Sequence, residues 1–207
     1  MFTSQVSIHG LWPTYIMEVK TGDRFKPSID KVIDDVVFHN SPSSWGRTHK
    51  ISKTSSEHFF CDDVIADLNL VELQSEIDYL VREYCLSVGI QYTNYKRTSW
   101  FSLFGEGDYA HIHNHMSASI SGCYYYETNQ NDGNIFFKTP LPQLYTNPAF
   151  VGLSNRVEVQ AENGKFLLFP GWLEHGVSTN ETKDRRISLS FNIEFDYLSS
   201  LKDNKKG

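Results

Sequence analysis

The run RISLSFNIEF (186–195) alternates without a break, with Arg186, Ser188, Ser190 and Asn192 set between Ile187, Leu189, Phe191 and Ile193. That is the period of a β-strand with one apolar and one polar face. The apolar face has a partner in two upstream stretches at helical spacing. Ile29, Val32, Ile33, Val36 and Val37, behind a Ser28 that can cap, predict a helix over about 28–38. Leu70, Leu73, Ile77, Leu80, Val81, Tyr84, Cys85 and Val88 predict a longer one ending near Gly89. If these helices cover the apolar face, the polar face looks into the space between two sheets, which is normally dry. A polar lining there implies a site.

The rest of the second half repeats the strand signal. From Tyr92 onward, short apolar or alternating runs are broken by Gly, Pro and Asn, and strands are expected at 98–104, 109–115, 120–127, 133–138, 156–160, 165–169 and 186–194. The fold expected is mainly β with flanking α-helices, a sandwich or jelly roll. With 207 residues, one domain is expected, 1–207: a helical buttress over 28–90, a jelly-roll core over 92–195 and a frayed tail at 200–207. The Ser/Thr-rich segment between about 40 and 63 reads as irregular cover. The stretch 139–155, with three prolines, is long enough for a lid or for a plain connection.

Composition removes several functions. A formal charge of −6 gives no general attraction to nucleic acid or anionic membranes. The three cysteines, Cys61, Cys85 and Cys123, are odd in number and widely spaced, which argues against a disulfide framework and a thiolate zinc site. No signal-like start and no apolar stretch near the roughly 18 residues of a membrane span is present. A soluble, cytoplasmic protein is expected.

The chemistry is carried by histidines. In HIHNH, His111, His113 and His115 fall at alternate positions and are expected on one strand face, opposite Ala110, Ile112 and Asn114. By itself such a pattern fits buried hydrogen bonding as well as metal binding. The distant His175 and, further on, Arg186 and Ser188 change the balance. Two imidazoles from one strand and a third from a later one form a facial set that leaves metal positions open, as non-haem Fe(II) oxygenases require. A buried Arg is costly without an anion, and its fork matches a carboxylate, to which Ser188 can add a hydrogen bond. His9, His39, His49 and His58 read as ordinary surface or core residues, and Trp172 equally as pocket wall or packed aromatic.

The blocks GDYAHIHNHMSASISGCYYYE, DGNIFF, ENGKFLLFPGWLEHGV and RRISLSFN together resemble a family of 2-oxoglutarate-dependent Fe(II) oxygenases of bacteria and marine phages, over about 98–194. The resemblance implies a double-stranded β-helix of the jelly-roll, cupin-like kind. It implies Fe(II) held by His113, His115 and His175, with 2-oxoglutarate as cosubstrate bound by Arg186, Ser188 and Tyr125, and O2 as oxidant. The implied reaction converts 2-oxoglutarate to succinate and CO2 and hydroxylates a small-molecule or peptidyl substrate, the latter by analogy with prolyl-hydroxylase-like relatives. It also implies a cytoplasmic protein, in the host cytoplasm if phage-encoded. Met116 replaces a frequent Pro, and His111 precedes the motif, so a register using His111 and His113 stays open. A histidine stands where the wider superfamily has a carboxylate, leaving the centre one unit more positive; Asp108 and Glu127 lack the spacing to substitute. Two other readings compete: a cupin-like three-histidine metalloenzyme without a keto acid, and a non-enzymatic jelly-roll binding protein.

Overall fold

The computed structural model describes residues 13–40, 49–50, 53–55, 62–141 and 156–196. The strands are β1 (Met17–Lys20), β2 (His49–Lys50), β3 (Lys53–Thr54), β4 (Tyr95–Phe104), β5 (Tyr109–His113), β6 (Ile120–Glu127), β7 (Ile135–Lys138), β8 (Arg156–Val159), β9 (Lys165–Pro170), β10 (His175–Val177) and β11 (Arg186–Phe195). They form two antiparallel sheets, ordered β1-β9-β6-β11-β4-β3 and β2-β5-β10-β7-β8. The architecture is the expected double-stranded β-helix with helices on the larger sheet.

The helices are α1 (Lys26–Asp30), α2 (Val64–Asp67) and α3 (Val71–Val88). In α3 the predicted stripe is the buried one: Leu73, Ile77, Leu80, Val81, Tyr84 and Cys85 all face inward. Each fully buried aliphatic contributes roughly 1.5–3 kcal/mol. Gly89 ends the helix in the left-handed region at φ 76°, its N–H donating to the Cys85 carbonyl.

The helix expected over 28–38 is not continuous. It is replaced by a 3-10 turn at Gly22–Phe25, the short α1, and a second 3-10 turn at Ile33–Asp35. Pro27 starts the helix earlier than Ser28 does, and the Ser28 hydroxyl donates to the Phe25 carbonyl instead of capping. Only Ile29 and Ile33 of the five apolar positions are buried, and Val37 is exposed. The short β1 and β10 and the helix α2 carry too few residues to show a period.

Alternation on the central strands sorts two cores. Ile187, Leu189, Phe191, Ile193 and Phe195 of β11 join the helices, as do Tyr124 and Tyr126 of β6 and Phe166 and Leu168 of β9. Between the sheets lie Cys123, Tyr125, Leu167 and Phe169 with Ile135 and Phe137 of β7. The continuous apolar run of β9 is thus a strand buried on both faces. Among the described residues no helix is long and apolar enough to cross a membrane. His9, His58, Cys61, residues 142–155 of the expected lid and the 200–207 tail lie outside the described residues.

Candidate metal and cosubstrate site

The polar face of β11 meets a cavity of about 560 Å³ between the sheets, lined by Arg186, Ser188, Ser190 and Asn192. Its opposite wall carries three histidines. In the ladder of β5 and β10, His113 pairs with His175. His115 follows two residues beyond His113, held by its N–H donating to the Gly171 carbonyl at 2.8 Å and its own carbonyl accepting from Ala118 N–H at 2.8 Å. Gly171 permits this approach, because a Cβ there would lie 2.2 Å from the Ala118 carbonyl oxygen and 2.9 Å from that of His115. The ring centroids of His113, His115 and His175 are 4.4 to 5.3 Å apart, and one nitrogen from each falls within 4.8 Å of the others.

Hydrogen bonds choose the tautomers. The Nδ1 of His113 lies 2.7 Å from the His111 carbonyl, and that of His175 lies 2.8 Å from the Leu173 carbonyl. A carbonyl only accepts, so both Nδ1 atoms carry the proton and Nε2 keeps its lone pair, the usual state of a ligating histidine. Burial pushes the His113 imidazole below its ordinary value, which keeps it neutral. The Nδ1 of His115 lies 3.3 Å from the Asn192 side-chain amide, whose other end bonds the Ser121 hydroxyl at 2.8 Å. Ser121 can donate or accept, so the amide can turn its oxygen to the ring and receive an Nδ1–H there.

His111 does not share this face. The pairing moves from His175 with His113 to Val177 with Ala110, so β5 carries one extra residue. This bulge cancels the alternation expected along HIHNH. Ala110 packs inward with Phe104 and Val177, while His111 and Ile112 are exposed and His111 lies edge-on to Tyr109 at 4.8 Å. Asp108 and Glu127 are also elsewhere, accepting from Gly105 N–H and pairing with Arg185 respectively.

At the other end of the cavity Arg186 is 1% exposed, with its guanidinium 4.2 Å from the Phe104 ring centre. Its Nη1 donates to the carbonyls of Asp132 at 3.2 Å and Gly133 at 2.6 Å. Gly133, at φ 96°, lets that turn form, since a Cβ would sit 2.2 Å from the Ser178 carbonyl oxygen. The Nε of Arg186 has no hydrogen-bond partner, and Arg186 makes no ion pair with a carboxylate among the described residues. Burial pulls its basicity below the ordinary value. Ser188 pairs with Tyr125 across β11 and β6, and both line the cavity beside Arg186. Burial raises the Tyr125 phenol well above its ordinary value, so it is a hydroxyl donor.

The sequence reading missed Asn192 as a partner of His115, although its place on the polar face of β11 was the available signal. It also missed Trp100 and Met116, which line the cavity. Trp172 is about half exposed and does not line it.

One cavity of this antiparallel double-stranded β-helix thus holds a cluster of imidazoles and a buried arginine. The family model described as "Putative 2OG-Fe(II) oxygenase" matches residues 98–192, just under half of the chain. Over those residues the chain is similar to that family. No curated protein sequence matches it. Among solved structures, HygX from Streptomyces hygroscopicus with nickel, 2-oxoglutarate and hygromycin B bound is similar at TM-score 0.61 and 11% identity, over 89% of this chain and 84% of that one. A Pseudomonas putida prolyl-4-hydroxylase is similar at 0.59 and 11%, over 88% and 94%. The 2-oxoglutarate-dependent epimerase SnoN of nogalamycin biosynthesis is similar at 0.61 and 10%, over 88% and 78%.

The residues present fit the groups the family uses. Three clustered imidazoles suit Fe(II), and a buried guanidinium with an unpartnered N–H suits a carboxylate.

Proposed function

We propose that this chain is an Fe(II)- and 2-oxoglutarate-dependent dioxygenase that hydroxylates a C–H bond of a small-molecule or peptidyl substrate. The observation that carries the reading is that one cavity holds both the three-histidine cluster and Arg186 with its orphaned Nε–H. In this reading His113, His115 and His175 hold the metal, and Arg186, Ser188 and Tyr125 hold the cosubstrate. Together iron, O2 and 2-oxoglutarate supply the oxidising power, with 2-oxoglutarate leaving as succinate and CO2.

The protein's own contribution is placement. Arg186 fixes the far carboxylate of the cosubstrate by a charged fork already stiffened by Phe104 and two carbonyls. Ser188 and Tyr125 add hydroxyl donors on the same wall. The apolar shell of Phe104, Ile135 and Phe169 limits water around the reacting atoms. A reducing cytoplasm, bacterial or of a phage host, agrees with Cys85 and Cys123 as buried thiols raised to about 11.

Purified protein given Fe(II), ascorbate and 2-oxoglutarate is expected to release succinate slowly even without its prime substrate. Failure to detect either anaerobic Fe(II) binding or 2-oxoglutarate binding ends the proposal.

Asn192 is the positioning residue for His115. Asn192→Ala is expected to lower Zn(II) affinity about 10- to 100-fold, measured by competition with a chromophoric chelator. Asn192→Asp keeps an acceptor for Nδ1–H and is expected to retain most of the affinity. Equal losses in both variants would point to a packing role only.

A further inference from the structure

We propose that the substrate group presented to the metal is uncharged, and that it enters between Trp100 and Met116. The inference rests on the metal and cosubstrate reading above and adds what lies beyond them.

Strand register gives the cavity a direction. On β11 and β4, Arg186 faces Phe104, Ser188 faces Ser102, Ser190 faces Trp100 and Asn192 faces Thr98. The cosubstrate end is therefore at Arg186, and the Ser190–Trp100 pair lies four residues further along the strand. Trp100 is beside the histidines, its ring centre 6.1 Å from that of His115. Met116, the next residue after His115, lines the cavity and is 77% exposed, so the cavity opens here. The substrate approaches from this side.

The chemistry of that mouth is uniform. It offers an indole face, a thioether, the hydroxyls of Ser117 and Ser190 and the amide of Asn114. Among the described residues lining the cavity, Arg186 is the one formally charged side chain, and the cosubstrate engages it.

Within the cavity lining a cation meets no carboxylate, Glu194 standing outside it beyond Asn192 and Ser117 next to Lys96, and it faces a centre made one unit more positive by a third imidazole in place of the usual anion. The attraction of an indole face for a cation is weaker than the cost of stripping its water in that field. An anion lacks a second described cation to offset its own desolvation. A neutral group meets neither cost: its apolar surface packs on Trp100 and Met116, and its oxygens find hydroxyl and amide partners.

The test uses three probes with one ring and different charge: indole-3-ethanol, tryptamine and indole-3-acetate. Each is titrated by saturation-transfer NMR onto the protein loaded with Zn(II), which is diamagnetic and inert to O2, and with 2-oxoglutarate. Indole-3-ethanol is expected to bind at least about tenfold more tightly than either charged probe. Trp100→Ala is expected to weaken it about tenfold. Met116→Asp, at a position the core does not need, is expected to strengthen tryptamine binding about tenfold. The inference is overturned if a charged probe binds the wild type as tightly as the alcohol. It is equally overturned if the alcohol does not bind while the signals of 2-oxoglutarate show that the cosubstrate does; the oxygenase reading then stands alone. If 2-oxoglutarate itself does not bind, that reading fails and takes this inference with it.

Discussion

Arg186→Ala is expected to lower the affinity for 2-oxoglutarate by at least about 100-fold, since it removes the charged partner of a buried carboxylate, a loss of about 2–5 kcal/mol or more. Calorimetric titration of the cosubstrate into Zn(II)-loaded protein measures it. The same variant also leaves the Asp132 and Gly133 carbonyls short of a donor and empties the space over Phe104, so some stability is lost as well. Two controls separate the effects. Zn(II) affinity in the variant reports whether the histidine end is still folded. Arg186→Lys keeps the charge but loses the planar fork, and is expected to recover only part of the affinity. Unchanged 2-oxoglutarate binding in Arg186→Ala would favour the cupin-like alternative, in which a three-histidine metal acts without a keto acid.

The second large effect belongs to the metal. His113→Ala and His175→Ala are each expected to reduce Zn(II) or Fe(II) affinity by more than the roughly 10- to 100-fold typical of losing a residue that merely supports a ligand. His111→Ala is expected to leave it unchanged within about twofold, because that side chain lies beyond the bulge on the outer face. Chelator competition on the three variants gives the ordering directly. A loss in His111→Ala equal to that in His113→Ala would establish the shifted register. If wild-type protein prepared without chelators carries no metal and gains no stability from added Fe(II) or Zn(II), the histidines are structural and the non-enzymatic jelly roll is the better account.

What was legible from sequence is what periodicity can express. Strand β11 and helix α3 are long enough for their apolar positions to repeat several times, and both lie where the spacing placed them. The side of β11 that bears Arg186, Ser188 and Asn192 followed from the same alternation. A register, by contrast, depends on the partner strand. Nothing in HIHNH announces that β5 carries an extra residue opposite β10, so His111 lies on the outer face while His113 lies beside His115 and His175. The 28–38 stretch failed for a related reason. Its apolar spacing is helical, but Pro27 moves the start and Val36 is extended at ψ 118°, so only the first turn and a half forms as α-helix. Asn192 and Trp100 were visible as residues and invisible as neighbours of His115, because that adjacency arises from β4, β11 and the turn after β5 meeting in three dimensions.

The close approach at Gly171 bears on how the centre is made. His115 is pinned through both its N–H and its carbonyl, and His113 and His175 face each other across a ladder. The placement of the three imidazoles therefore rests on bonds of the chain itself, in contrast to small zinc modules whose folding waits for the ion. If the centre is loaded on a scaffold already folded, chelator-treated and Zn(II)-loaded protein are expected to give the same far- and near-UV circular dichroism, and loss of the near-UV signal on chelation would show that the ion helps to build the fold.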